Sequence, residues 1–213
     1  MKSWVIPKAS ATFVYRMEKV LSVYERPYDP KYPVINLDDS PKQFIEEIRK
    51  GFVDKQGIRY QDYEYKRNGV ADLYMVAEPK AGWRQVFVKE NHNRFSYAEV
   101  VRYLVEEIYP EATKITLIED NHSAHKLSAL YETLPPDRAR AIIERIEVVR
   151  TPVHGSWLNV AEIELSILTR QGLKSRIPSR QALEAQVKAW VQQRNAKVDK
   201  IDWQFTNKDA RIK

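Results

Sequence analysis

The stretch Val34-Ile35-Asn36-Leu37-Asp38-Asp39 is a short apolar run that breaks into acid, and it reads as a central β-strand. Residues 114–119, Lys-Ile-Thr-Leu-Ile-Glu, read as a second buried strand that ends in Asp120. Between the two, residues 69–77 and 83–89 read as strands joined around Pro79-Lys80-Ala81-Gly82, a hairpin signal. Residues 96–108 read as a helix presenting Val100, Val101, Leu104, Val105 and Ile108. Residues 40–59 carry many charges and no clear strand pattern, which predicts a helical turn and a long basic loop.

Ahead of this centre, Ser10 is placed to cap a helix in which Phe13, Val14, Met17, Val20, Leu21 and Tyr24 recur at helical spacing. The Pro-rich segment 26–33 ends that helix and forms a stiff connector. Behind the centre, residues 123–145 read as helix broken at Pro135-Pro136, residues 147–150 as a strand, and residues 159–170 and 180–194 as helices. Leu183, Val187, Trp190 and Val191 share one face of the last of these, and Trp157 and Trp190 are expected in the core. There are no internal repeats.

Strands that alternate with helices after a leading hairpin imply an α/β fold, a mixed sheet with helices on both faces. The ribonuclease H-like fold has this order, with its three leading strands antiparallel. The expected organisation is a linker and leading helix over residues 1–33, a ribonuclease H-like unit over 34–170, and a helical extension over 171–213.

Composition narrows the function classes. The 213 residues hold no Cys, which excludes disulfides, thiolate metal sites and a cysteine nucleophile. No segment approaches the roughly 20 apolar residues of a membrane helix, and Met1–Ser10 lacks the apolar run of a signal peptide, so no membrane role and a cytoplasmic location are expected. A net charge of +6 permits a polyanionic partner without demonstrating one.

Three carboxylates stand at element ends. Asp38 closes the first strand, Asp120 follows the fourth, and Glu162 lies in the first turn of the helix behind the last strand. In open α/β sheets, sites form outside the carboxyl ends of strands where strand order reverses. Two aspartates and a glutamate brought together there make an oxygen-only site suited to Mg²⁺ or Mn²⁺. Each residue also has a structural reading. Asp38 and Asp39 suit a turn before Ser40-Pro41, Asp120 suits a helix cap, and Asn159-Val160-Ala161-Glu162 matches a capping box. Alternation along a strand lets only one of Asp38 and Asp39, and one of Glu119 and Asp120, enter a site without distortion; spacing does not choose between them. If the carboxylates converge, they repel in the metal-free protein, and a neutral replacement such as Asp120→Asn is expected to raise its melting temperature slightly.

In three ordered blocks the chain resembles the mariner-like branch of bacterial insertion-sequence transposases, with their DDE superfamily endonuclease domain. The blocks are Leu37-Asp38-Asp39-Ser40-Pro41-Lys42-Gln43, Ile118-Glu119-Asp120-Asn121-His122-Ser123-Ala124-His125, and Thr151-Pro152-Val153-His154-Gly155-Ser156-Trp157-Leu158-Asn159-Val160-Ala161-Glu162. The likeness extends from about Trp4 to Arg211. It implies that Asp38, Asp120 and Glu162 are catalytic and hold a two-metal Mg²⁺ site, with Mn²⁺ able to substitute. It also implies that Asn121, His125 and His154 lie in the supporting layer or contact DNA. The implied partners are double-stranded DNA, as element ends and as target, and a homodimer is consistent with it. The chemistry implied is hydrolysis at the element ends followed by 3′-hydroxyl strand transfer. Two features depart from the family pattern: the helix-turn-helix modules usually found ahead of this domain are expected to be missing, and Glu119 replaces a residue more often apolar. The alternatives are another ribonuclease H-like nuclease, or a decayed or repurposed DNA-binding remnant. His122 and His125 are three apart, as in a zinc pair, but no thiols or convincing further ligands accompany them, so no zinc site is expected; His92 receives no role.

Overall fold

The computed structural model describes residues 10–60 and 62–211. The expectations for the first nine residues, Trp4 included, lie outside the described residues. Helix α1 (Ala11–Glu25) starts where expected, because the Ser10 side chain accepts a hydrogen bond from the Phe13 N–H. The main sheet contains β1 (Val34–Glu47), β4 (Tyr65–Glu78), β5 (Trp83–Lys89), β6 (Ile115–Glu119) and β7 (Ile146–Arg150). Two short strands, β2 (Phe52–Val53) and β3 (Arg59–Tyr60), form a separate ribbon between β1 and β4. The order across the main sheet is β5-β4-β1-β6-β7. β4 runs antiparallel to its two neighbours β1 and β5, while β6 and β7 run parallel to β1. This is the mixed sheet expected from the order of elements.

Helices cover both faces. On one face, α2 (Arg94–Tyr103), which continues as a π-turn through Ile108, packs with α4 (Pro136–Glu144) on Ile35, Leu37, Tyr74, Val76 and Leu117. On the other face, α5 (Val160–Gln171) and α6 (Arg180–Ala196) bury Ala161, Leu165, Leu183 and Trp190 against Leu73, Met75 and Val86. α1 continues that layer over Ile118 and Val149. Burying each large aliphatic side chain there contributes about 1.5–3 kcal/mol. Two short helices, α3 (Leu130–Thr133) and α7 (Asn207–Arg211), complete the described elements. Among the described residues, no helix is long and apolar enough to cross a membrane.

Residues 40–47 correct the sequence reading. They are not a helical turn: β1 runs through Ser40-Pro41 to Glu47, paired throughout with β4. Pro41 is tolerated because β1 pairs with β6 only over Val34–Asn36, so beyond that point one side of the strand needs no N–H. The pairing shifts register between Gln43 and Ile45, where Gly69 takes φ +106 on β4, a conformation that favours glycine. Trp157 also departs from expectation. It is 46% exposed, lying outside the packed layer on a 3₁₀ turn and facing the rings of Trp203 and Phe205. Trp190 is buried as expected.

Candidate active site

Asp38 lies within β1 and does not close it. It sits at an edge because its parallel neighbour stops: the last β1–β6 pair is Asn36 with Ile118, and β6 ends at Glu119. Asp120 follows at once, so the two aspartates flank the gap that opens where the strands part. Strand alternation then separates the adjacent acids. Asp38 is paired with Met75, on the face covered by α5 and α6, whereas Asp39 is paired with Tyr74, on the face covered by α2.

Glu162 comes to the Asp38 face from the first turn of α5. The block around it has a visible structural purpose. Leu158 is buried, and its carbonyl accepts from the Tyr24 hydroxyl at 2.7 Å. The Asn159 side chain donates to Leu37 O at 3.0 Å and to Asp38 Oδ2 at 3.3 Å, and it accepts from the Ala161 N–H at 3.1 Å. One amide thus caps α5 and fastens it to β1. The capping-box arrangement for Glu162 is not made, because the Asn159 N–H donates to Ser156 O instead. Glu162 Oε2 is buried without a hydrogen-bond partner. Asp38, Asp120 and Glu162, with Asp39, Ser40 and Ser166, line a cleft of about 440 Å³.

A layer behind Asp120 fixes its side chain. Its Oδ1 accepts from the His122 backbone N–H at 2.8 Å and lies 3.0 Å from His125 Nδ1, off the axis of a good ring N–H bond. The other nitrogen, His125 Nε2, is 3.0 Å from Asp39 Oδ1, and the Tyr97 ring stacks on the imidazole. Arg150 donates to the backbone oxygens of Asp120 and His125 at 2.6 and 2.7 Å. Glu119 is fully buried and turned away from the cleft, with the Tyr97 hydroxyl donating to it at 2.9 Å and Arg150 at 3.0 Å.

Two residues expected in the supporting layer or on DNA lie outside the cleft lining. Asn121 is absent from the cleft lining: its Oδ1 accepts from Arg16 at 2.5 Å and its Nδ2 donates to Thr151 O at 2.8 Å, tying α1 to the end of β7. His154 is exposed on a turn at φ 63. His92, given no role from sequence, has its Nδ1 3.0 Å from Asp72 Oδ1.

The electrostatics identify which acid carries the strain. Burial pushes the Asp38 carboxyl up to about 7, against the Asp39 N–H, and the nearby Asp120, Asp39 and Glu162 add to the rise. Asp120 behaves oppositely. Burial opposes its charge, but His125 and the His122 N–H outweigh that and hold it below the usual aspartate range. Burial also works against a charged His125, yet Asp120 and Asp39 raise it to about 9. The relief first assigned to Asp120→Asn therefore belongs to Asp38.

A pH dependence follows for the metal-free protein. Between about pH 4 and 7 the folded chain keeps a proton on Asp38 that the unfolded chain has released, so stability falls as pH rises. His125 extends the fall: its contribution is complete below about pH 6.5 and lost as pH rises through 9. Asp120 contributes in the opposite sense, and only at pH low enough to protonate it. Thermal melts in EDTA from pH 5 to 9 should show a declining melting temperature. Asp38→Asn should flatten the lower half of that decline and His125→Gln the upper half. A melting temperature that rises over this interval would contradict the assignment.

Solved structures with this fold include the Mos1 mariner paired-end complex with Mg, at 18% identity and TM-score 0.59 over 95% of this chain and 60% of that one. The Mos1 paired-end complex with Mn gives 17% identity and TM-score 0.56 over 91% of this chain and 59% of that one. The Mos1 strand transfer complex gives 15% and 0.56 over 90% and 57%. The chain thus spans about three fifths of the length of these solved chains. No curated protein matches it at a significant level. The family model for the DDE superfamily endonuclease matches residues 33–184, from the start of β1 into α6 and across all three acidic blocks. On that match the chain belongs to the DDE superfamily endonucleases.

Proposed function

We propose that this chain is the catalytic domain of a cut-and-paste DNA transposase in which Asp38, Asp120 and Glu162 hold a pair of Mg²⁺ ions, replaceable by Mn²⁺. The observation that carries the reading is the buried, unpartnered Glu162 Oε2 in a cleft where Asp38 is pushed up to about 7. An all-oxygen set with surplus negative charge is what a hard divalent ion fits. The Mos1 complexes with Mg and with Mn support divalent dependence by analogy. Among the described residues, these three acids are not a group whose ligand atoms lie within 4.8 Å of one another. Asp38, Asp120 and Glu162 would hold the ions between them as oxygen ligands lining one cleft.

When bound, the ions supply Lewis acidity to the phosphodiester and lower the pKa of the attacking water. The chain does the rest. Asn159 holds Asp38 and the start of α5 together, so that Glu162 stands at a fixed place over β1. His125 keeps Asp120 ionised and aimed. The reaction is hydrolysis at an element end, after which the freed 3′-hydroxyl replaces water as nucleophile on target DNA. Residues 34–170 form the catalytic unit in this reading, and double-stranded DNA, a second copy of the chain and a cytoplasmic setting belong to it.

The test is a substrate panel with Mg²⁺ or Mn²⁺. Duplex DNA should be nicked and joined only with metal, and cleavage confined to RNA–DNA hybrids would point to another ribonuclease H-like nuclease. Basic surface alone supplies phosphate contacts, so repeat and scrambled duplexes should bind alike and weakly, with Kd on the order of 10⁻⁴–10⁻⁶ M at physiological salt. A clear preference for repeat DNA in gel shifts at two salt concentrations would contradict binding through phosphate contacts alone.

A further inference from the structure

On the α2 face of the sheet, opposite Asp38 and Glu162, the chain gathers three imidazoles around two carboxylates. One ligand atom each from Asp39, Asp72 and His92 lie within 4.8 Å of one another, and so do those of Asp39, His122 and His125. Asp39 belongs to both groups. The four segments involved are β1, β4, the loop after β5 and the loop after β6. Asp39 and Asp72 are largely buried side chains at the inner end, whereas His92 is half exposed and opens the cluster to solvent. His122 stands between the other two imidazoles, with ring centroids 5.4 Å from His92 and 5.3 Å from His125. Its Nδ1 is buried and has no hydrogen-bond partner. A buried imidazole nitrogen left unpaired beside two carboxylates costs stability unless something binds it.

We propose that Asp39, Asp72, His92 and His122 form a second cation site, selective for Zn²⁺, on the opposite face of the sheet from the Asp38 cleft. Two imidazoles with two carboxylates make a nitrogen–oxygen set that suits zinc and that magnesium, which prefers oxygen alone, does not. Zinc bonds of about 2.0–2.2 Å place tetrahedral ligand atoms roughly 3.3–3.5 Å apart. Asp39 joins the two groups, and closing the set to that size requires rotation of the His92 and His122 side chains. His125 stays outside the set: its Nδ1 lies 3.0 Å from Asp120, its Nε2 3.0 Å from Asp39, and its ring stacks on Tyr97. The sequence reading found only the His122–His125 pair. The further ligands come from segments remote in sequence and converge only in the fold.

Calorimetric titration of Zn²⁺ into the whole chain, with millimolar Mg²⁺ present, tests the site. One Zn²⁺ per chain is expected, and Co²⁺ in its place should give the intense visible bands of a four-coordinate nitrogen–oxygen site. His92→Asn and His122→Asn should each weaken Zn²⁺ at least about 10-fold, while Asp38→Asn and Glu162→Gln leave it unchanged. His92 is on an exposed loop, so its variant keeps the test decisive if the His122 variant fails to fold. No Zn²⁺ binding, or binding lost in Asp38→Asn and retained in His92→Asn, would overturn the proposal.

Discussion

Asp38→Asn is expected to abolish metal-dependent strand cleavage and, in the same protein, to raise the melting temperature measured in EDTA. The two effects have one origin. Asp38 is held in a half-buried position beside Asp120 and Glu162, where ionisation is costly until a cation arrives. A carboxyl raised from about 4 to about 7 costs the folded state up to about 4 kcal/mol above pH 7. Asparagine removes that charge, but its amide cannot accept from both the Asp39 N–H and the Asn159 amide as the carboxylate does. Recovery of about half the cost is expected, a gain of roughly 4–8 °C for a chain of this size. If Asp38 holds a metal ion as proposed, its loss forfeits several kcal/mol of transition-state stabilisation, so cleavage should fall by roughly 10³-fold or more. Mn²⁺ should stabilise the parent protein and not the variant, because it binds only the folded site. A variant that melts lower in EDTA would contradict the strain, and one that cleaves normally would contradict the assignment of Asp38.

Glu164→Gln is expected to cost a large share of the stability of the fold. Glu164 and Arg84 are 0% and 1% exposed and paired at 2.9 Å. Arg84 also donates to the Gly82 and Asp199 carbonyls, and Arg194 approaches Glu164 at 3.2 Å while pairing with Asp199. Gly82 must be glycine there, since it takes φ +69 and a Cβ would meet the Val198 backbone at 2.8 Å. The network clamps α5, the β4–β5 hairpin and the segment after α6 onto one another. Removing one partner of a buried pair leaves an uncompensated charge and costs about 3–5 kcal/mol, or on the order of 10 °C in melting temperature. The double change Arg84→Met with Glu164→Leu should recover most of the loss, because it leaves no buried charge unpaired. Denaturant melts of the three proteins would check this, and a Glu164→Gln cost below about 1 kcal/mol would refute it. A weakened α5 should also loosen Glu162, two residues away, so residual cleavage should fall with stability.

What was legible in the sequence and what was not have physical reasons. The apolar runs 34–37 and 115–118 gave two central strands, since a strand buried on both faces writes its hydrophobicity locally. Ser10 and Asn159 both cap the helices that follow them, because capping is a local bond. The second half of β1 was illegible. Asp38-Asp39-Ser40-Pro41-Lys42 lacks strand propensity, and its extended form comes from β4, which lies across a long loop. The three acidic blocks were legible as a pattern, and the resemblance pointed to Asp38, whereas strand alternation alone left the choice between Asp38 and Asp39 open. Glu164 could have been suspected. It is three residues after Ala161 and four before Leu168, so it lies on the buried face of α5 rather than beside Glu162. Its partner Arg84 could not have been, because 80 residues separate them. The convergence of Asp72 and His92 on Asp39 was hidden for the same reason.

Anomalous scattering at the manganese edge, from crystals of the whole chain grown with Mn²⁺, tests the central claim most directly. Peaks are expected within bonding distance of the Asp38, Asp120 and Glu162 carboxylates, and they should vanish from crystals of Asp38→Asn. Mn²⁺ found only at Asp39 and the histidines, or absent from Asp38 and Glu162 at saturating concentration, would contradict it.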